Sequence, residues 1–332
     1  MKKLLCLAVA VLLLAACGGK EAALFSKAQR LTEKGEFEKA ISVYSQIIRN
    51  NPESYTAYAS RGLLHERLKA KDAEQLKKNK EMAERDYTRA LSLNYQHPEI
   101  INNLAALMID QGRYEEAILQ LNLALMLQPD YFMALMNRAI AESQTGRLSD
   151  ALADFDHADA VRPHTPLVFL NRGIAEYEAG LYASALQDFA TVIELEPNNP
   201  RAYMERGRTF IKMGHFQNAM DDLQKSIALK PDYAMPYYYA AELLFNKAST
   251  EEAIAYAEQA KAYAPNYAPI YDMLGDMLAL SSPVEATQHY LAARRLDPAH
   301  ATHYQNKIRM MTTENGRKRI VAGRFMYLDK KK

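Results

Sequence analysis

Apolar, small and polar positions recur along this chain with a fixed period. Pro129, Pro163, Pro197, Pro231 and Pro265 stand 34 residues apart, and Pro298 follows 33 later. Ahead of each proline the same order of residues returns. A large apolar or aromatic residue holds position 4 of every unit: Leu24, Tyr58, Ile101, Leu135, Phe169, Tyr203, Tyr237 and Tyr271. A small residue holds position 8: Ala28, Gly62, Ala105, Ala139, Gly173, Gly207, Ala241 and Gly275. Alanine fills position 20, from Ala40 and Ala83 through Ala117, Ala151, Ala185, Ala219 and Ala253 to Ala286. A period of this length predicts one pair of antiparallel helices per unit, each pair stacked on the next. Two helices approach closely only where side chains are small, so positions 8 and 20 mark their crossing. Gly35, Gly112, Gly146, Gly180 and Gly214 fall at the turn between the helices, where a positive φ suits glycine. The proline ends the second helix because it cannot extend the hydrogen-bond ladder.

This pattern resembles the tetratricopeptide repeat. The resemblance covers roughly residues 21–299 in eight units, near 21–54, 55–97, 98–131, 132–165, 166–199, 200–233, 234–267 and 268–299. The family usually places Trp at position 4, and this chain has none. The fold implied is all-α, a right-handed superhelical solenoid of about eight helical hairpins plus a C-terminal capping helix. The second unit carries about nine extra residues, the Lys-rich stretch around Lys69 to Lys80, expected to lengthen its helices or a loop. The eighth lacks one residue near Ser281-Ser282-Pro283. Residues 300–314 read as a polar capping helix over the last apolar face. Residues 315–332 read as a basic tail that is disordered, pairs with a partner strand or touches anionic lipid.

The N-terminus changes the cellular picture. Lys2 and Lys3 precede an apolar run from Leu4 to Ala16, too short for the roughly 20 residues of a spanning helix. This is the layout of a signal peptide over residues 1–16. Leu14-Ala15-Ala16-Cys17 resembles the lipobox of bacterial lipoproteins, which implies acylation of Cys17 and attachment to the bilayer. With Cys6 removed and Cys17 lipidated, no thiol remains for a disulfide. Gly18 rather than Asp after the cysteine points to an outer-membrane lipoprotein facing the periplasm. Residues 17–20 then form a linker with a reach of about 10 Å, placing the repeats and their partner near the membrane.

Charge and chemistry narrow the function further. The chain carries +1, and without Lys2 and Lys3 it carries −1. A mildly acidic body with a basic C-terminus argues against nucleic-acid binding. No Gly-rich phosphate loop, His-Glu-x-x-His or Gly-x-Ser-x-Gly occurs, so we expect no enzyme, no catalytic residues, no metal, no cofactor and no small-molecule substrate. Position 7, usually apolar, is Arg61, Arg138, Arg172 and Arg206, and position 23 of the same four units is Asp86, Asp154, Asp188 and Asp222. The other four units lack both. The co-occurrence predicts structural ion pairs from first helix to second; a basic ladder for an acidic ligand is the alternative.

What the family resemblance implies for a partner is a concave face lined by positions 2, 5, 6, 9, 12 and 13 of each first helix. Carried over, these give Met133, Met136 and Ile140, then Leu167, Leu170, Ile174 and Tyr177, then Met204 and Ile211, then Met235, Tyr238 and Phe245. Exposed, they would make an adaptable apolar track; the alternative is that they pack between repeats. Asn103, Asn137 and Asn171 at position 6 resemble the asparagine ladders that hold an extended peptide backbone, since an amide both donates and accepts. The expected function is a lipid-anchored scaffold or assembly factor binding a protein segment, similar to the pilotins of type IV pilus systems. The second reading is an adaptor that recruits envelope hydrolases or proteases to substrates.

Overall fold

The computed structural model describes residues 19–247 and 249–329, with side chains to residue 322. The leader, Cys6 and Cys17 lie outside the described residues, as does residue 18 of the expected linker. Every regular element described is helical. The first hairpins are α1 (Gly19–Glu33) with α2 (Phe37–Asn50), and α3 (Tyr55–Arg67) with α4 (Ala73–Leu93). There follow α5 (Pro98–Asp110) with α6 (Tyr114–Leu127), and α7 (Phe132–Gln144) with α8 (Leu148–Val161). Next come α9 (Pro166–Glu178) with α10 (Tyr182–Leu195), and α11 (Pro200–Met213) with α12 (Phe216–Leu229). The last pairs are α13 (Ala234–Asn246) with α14 (Thr250–Tyr263), and α15 (Ala268–Leu278) with α16 (Pro283–Leu296). The chain ends in α17 (Ala301–Met310) and α18 (Glu314–Asp329). It divides into two compact units, one up to Val168 and one from Phe169.

The repeat pattern shows how each hairpin closes. The position-20 alanines are fully buried, as are Ala28, Ala105, Ala139 and Ala241 at position 8. Where position 8 is glycine, the second helix comes closer still. A Cβ on Gly207 would stand 3.2 Å from the Ala219 carbonyl oxygen, and one on Gly275 only 2.4 Å from the Tyr290 ring. The turn after α9 depends on Gly180 at φ +81°, which lets Gly180 N–H reach the Tyr177 carbonyl and Leu181 N–H the Glu176 carbonyl. Tyrosine at position 4 stands in for the family's tryptophan with an added hydrogen bond. Tyr237 and Tyr271 donate to the carbonyls of Pro231 and Pro265, at 3.0 and 2.8 Å, tying the first helix to the turn before it.

Two segments differ from expectation, and a third takes its expected form. Gly19 and Lys20, read as linker, are the first turn of α1. The insertion in the second hairpin does both things expected of it: residues 68–72 form a loop, and α4 is lengthened to 21 residues, with Asp72 capping it by accepting from the Gln75 N–H at 2.7 Å. The C-terminal segment is neither irregular nor a strand. It forms α18, and Ile320 and Val321 pack with Leu278, Ala279 and Met311, extending the apolar cover of α15.

Candidate partner-binding site

The first helix of each hairpin carries the candidate residues, and their burial separates them into two sets. Met136, Leu170, Tyr177, Met204, Ile211 and Phe245 are buried, each less than a tenth exposed. For these six the expectation of a water-facing track is corrected. Leu170 and Tyr177 share a cluster with Ala202 of the next first helix, Met204 and Ile211 with Ala240 and Leu243, and Phe245 with Met273 and Met277. Positions 5 and 12 thus glue one hairpin to the next, and burying such a side chain contributes about 1.5–3 kcal/mol to folding. Met133, Ile140 and Leu167 in the first unit, and Ile174, Met235 and Tyr238 in the second, remain half-exposed. Within each unit they form a narrower surface than the sequence suggested.

The asparagines are half-exposed as well. Asn137 Nδ2 donates to Asn102 Oδ1 at 2.8 Å, and Asn102 is buried. That bond orients the Asn137 amide and uses one of its two donors, leaving capacity for a further partner. Asn103 stands beside Asn102 on the same helix.

The arginines of position 7 meet the aspartates of position 23. Arg61 with Asp86, Arg138 with Asp154, Arg172 with Asp188 and Arg206 with Asp222 each form two parallel hydrogen bonds of 2.6–2.8 Å. The carboxylates are buried and the guanidiniums lie against position-4 rings, Arg61 on Tyr58, Arg172 on Phe169 and Arg206 on Tyr203. A third nitrogen reaches back to the preceding hairpin, from Arg61 to Ser45 at 3.0 Å and from Arg138 to Asn122 at 2.8 Å. Arg61 and Arg138 therefore each join three helices, with three of five donors engaged inside the scaffold.

Sequence reasoning missed a polar cluster in the second unit. The Arg208 guanidinium lies 3.8 Å from the Tyr177 ring centre and 5.8 Å from that of Tyr239. It also pairs with exposed Glu178, and with buried Glu205 at 3.2 Å. Burial pushes the Tyr177 phenol up to about 12 and raises the Glu205 carboxyl above its usual range. Burial works against the Arg208 charge, but Tyr239, Tyr177 and Glu178 outweigh it, so the cation persists. The signal was available. Positions 12, 9 and 6 of successive units are spaced one repeat less one helical turn apart, so they meet side by side. A second missed group is Glu142 in the first unit, buried, with Oε2 lacking a hydrogen-bond partner among the described residues. A third ties the cap: Lys307 of α17 contacts Asp272 at 2.7 Å and Asp276 at 2.8 Å.

The comparisons with known proteins agree with this architecture. A model of the tetratricopeptide repeat matches residues 25–74, 109–164, 170–234 and 205–268. No curated protein sequence matches the chain. Among solved structures, the chain is similar to a tetratricopeptide repeat protein from Parabacteroides merdae, with TM-score 0.66 and 23% identity over 77% of this chain and 98% of that one. It is also similar to PilW, described as a widely conserved type IV pilus biogenesis factor, with TM-score 0.57 and 19% identity over 65% and 96% of the two chains. Pseudomonas aeruginosa pilF gives TM-score 0.54 and 20% identity over 67% and 97%. At these identities the likeness shows the fold alone. The family model covers more than half of the sequence, and with the eight hairpins it establishes that this chain belongs to the tetratricopeptide repeat family, whose members are scaffolds for protein–protein contact.

Proposed function

We propose that this chain is a non-enzymatic scaffold or assembly factor, held to the bacterial envelope through lipid on Cys17, that binds a protein segment along its first helices. The observation that carries the binding role is a half-exposed row on the first helices of each unit taken by itself. It combines Met133 and Ile140 with the oriented amide of Asn137 in one unit, and Ile174, Met235 and Tyr238 with Arg208 in the other. Apolar side chains give a segment area to bury, and the amide and guanidinium fix its direction. The anchor reading rests on the lipobox-like Leu14-Ala15-Ala16-Cys17 after an apolar run. The alternative role, an adaptor for envelope hydrolases or proteases, uses the same surface and differs in the number of partners.

The test is a crosslinking pull-down from intact envelopes with the full chain, Met235→Glu/Tyr238→Ala and Cys17→Ala. Loss of a membrane partner from the groove variant, with the melting curve retained, supports the binding role. Several soluble partners would favour the adaptor. A partner set untouched by Met235→Glu/Tyr238→Ala would remove this surface from the account. Recovery of Cys17→Ala in the membrane fraction would remove the anchor.

A further inference from the structure

On the outer face of the first unit, α6 carries four exposed large apolar side chains, where no other second helix among the described residues carries more than two. Its outward residues are Leu119, Leu123, Met126 and Leu127, spaced i, i+4, i+7 and i+8, and they form one apolar stripe. Met126 is 79% exposed and Leu119 67%, more than the partners of any packed helix face would allow. One repeat later, the same register holds Ala153, His157, Ala160 and Val161 on α8, and two repeats later Gln187, Thr191, Glu194 and Leu195 on α10. The fourth position is apolar in each of these repeats, but the scaffold does not need large apolar side chains at the first three, and water opposes them.

We propose that a second copy of this chain covers the stripe, α6 on α6, about a two-fold axis parallel to the helix. Area argues for more than the stripe alone. A 14-residue helix is about 21 Å long and about 10 Å wide, offering only about 200 Å². Adding the flanking α4 and α8 raises the face to about 600 Å² per copy, or about 1,200 Å² in all, the lower range of specific interfaces. The flanks decide which axis. On α4 the outward register carries exposed Arg85 and Arg89, which line an open groove of about 510 Å³ with Glu81, Glu84, Thr88 and Ser92. On the α8 side, exposed Asp150 lies one turn before the register of Arg85, and Asp130 bonds His157, which holds the register of Arg89. An axis parallel to α6 lays α4 of one copy over α8 of the other, so the arginines meet the aspartates. An axis across the helix would lay Arg85 and Arg89 on their own copies, like charge on like. A two-fold contact of this kind closes on itself and stops at two.

Disulfide trapping tests this in the full chain, whose own cysteines are Cys6 and Cys17. Under mild oxidation Leu123→Cys, close to the axis, gives a disulfide-linked dimer, whereas the parent and Leu195→Cys, an equally exposed site on α10, do not. Arg85→Glu/Arg89→Glu lowers the trapped fraction about fivefold or more, and adding Asp150→Lys/Asp130→Lys restores it. All these positions are exposed, so a retained melting curve is expected and is checked. Absence of the Leu123→Cys dimer, or an equal yield from Leu195→Cys, overturns the proposal. So does a monomer that binds anionic vesicles only while Leu119 and Met126 are intact, which would make the stripe a lipid contact.

Discussion

Arg206 and Asp222 carry the clearest prediction at the level of single residues. The pair is bidentate, the carboxylate is buried and the guanidinium about a quarter exposed. Removing either partner strands the other, so Arg206→Ala and Asp222→Ala should each cost about 2–3 kcal/mol in chemical denaturation. Arg206→Met/Asp222→Leu should recover much of that loss, because an apolar pair needs no desolvation. This role was legible in the sequence because arginine and aspartate enter and leave the repeats together. Glu142 was not legible, since its surroundings come from several elements. Burial, then the nearby Asp154 charge, push its carboxyl from the ordinary 4.5 up to about 7, against the lowering effect of Arg138 and Arg147 and with Asp150 adding to the rise. With a folded pKa above the unfolded one, the native state takes up a proton between about 4.5 and 7. Its stability is therefore highest at the acid end of that window and falls as pH rises through 7. Glu142→Gln should melt above the parent at pH 8, by up to about 3 kcal/mol, and match it near pH 4.5. Equal differences at both pH values would contradict the assignment.

At the scale of the element, the period of prolines and small residues fixed the helices, and contacts fixed how they end. Gly275 packs on Tyr290, whose hydroxyl is bonded to buried Asp276 at 2.8 Å, so the ring cannot retreat. Gly275→Ala should therefore lose about 1–3 kcal/mol on overpacking, measured by thermal melting. Gly62→Ala, where the nearest neighbours stand at 3.1–3.2 Å, should lose less. The C-terminal elements were the least legible. A segment rich in Arg and Lys gave no apolar period, yet Ile320 and Val321 pack α18 against the end of α15. Lys307 secures the same end by neutralising Asp272 and Asp276 together. Lys307→Met should remove the cation that Asp272 and Asp276 share and speed hydrogen exchange in α17 and α18, with the first unit unchanged. Uniform exchange in the variant and parent would mean the apolar contacts hold the cap alone.

For the whole molecule, the family and the hairpin count followed from the repeat grammar, because each unit meets only its neighbours and local pattern fixes the fold. The binding surface followed only in part. Register told which side chains face a neighbouring first helix, but not how deeply. Leu170, Tyr177 and Met204 are consumed by stacking, whereas Met133, Ile174 and Met235 keep an open edge. Arg208 was invisible to a single-repeat view because its ring partners come from the units before and after it. The central claim is that the first helices, and not the arginine pairs or the outer helices, receive the partner. Site-specific photocrosslinking in living cells tests it most directly, with the probe at Met133, Ile174 and Met235 and, as outer-face controls, at Gln187 and Lys225. The account predicts discrete adducts of one size from the first three positions and none from the controls. Adducts from Gln187 or Lys225 with silence at Met133, Ile174 and Met235 would contradict it.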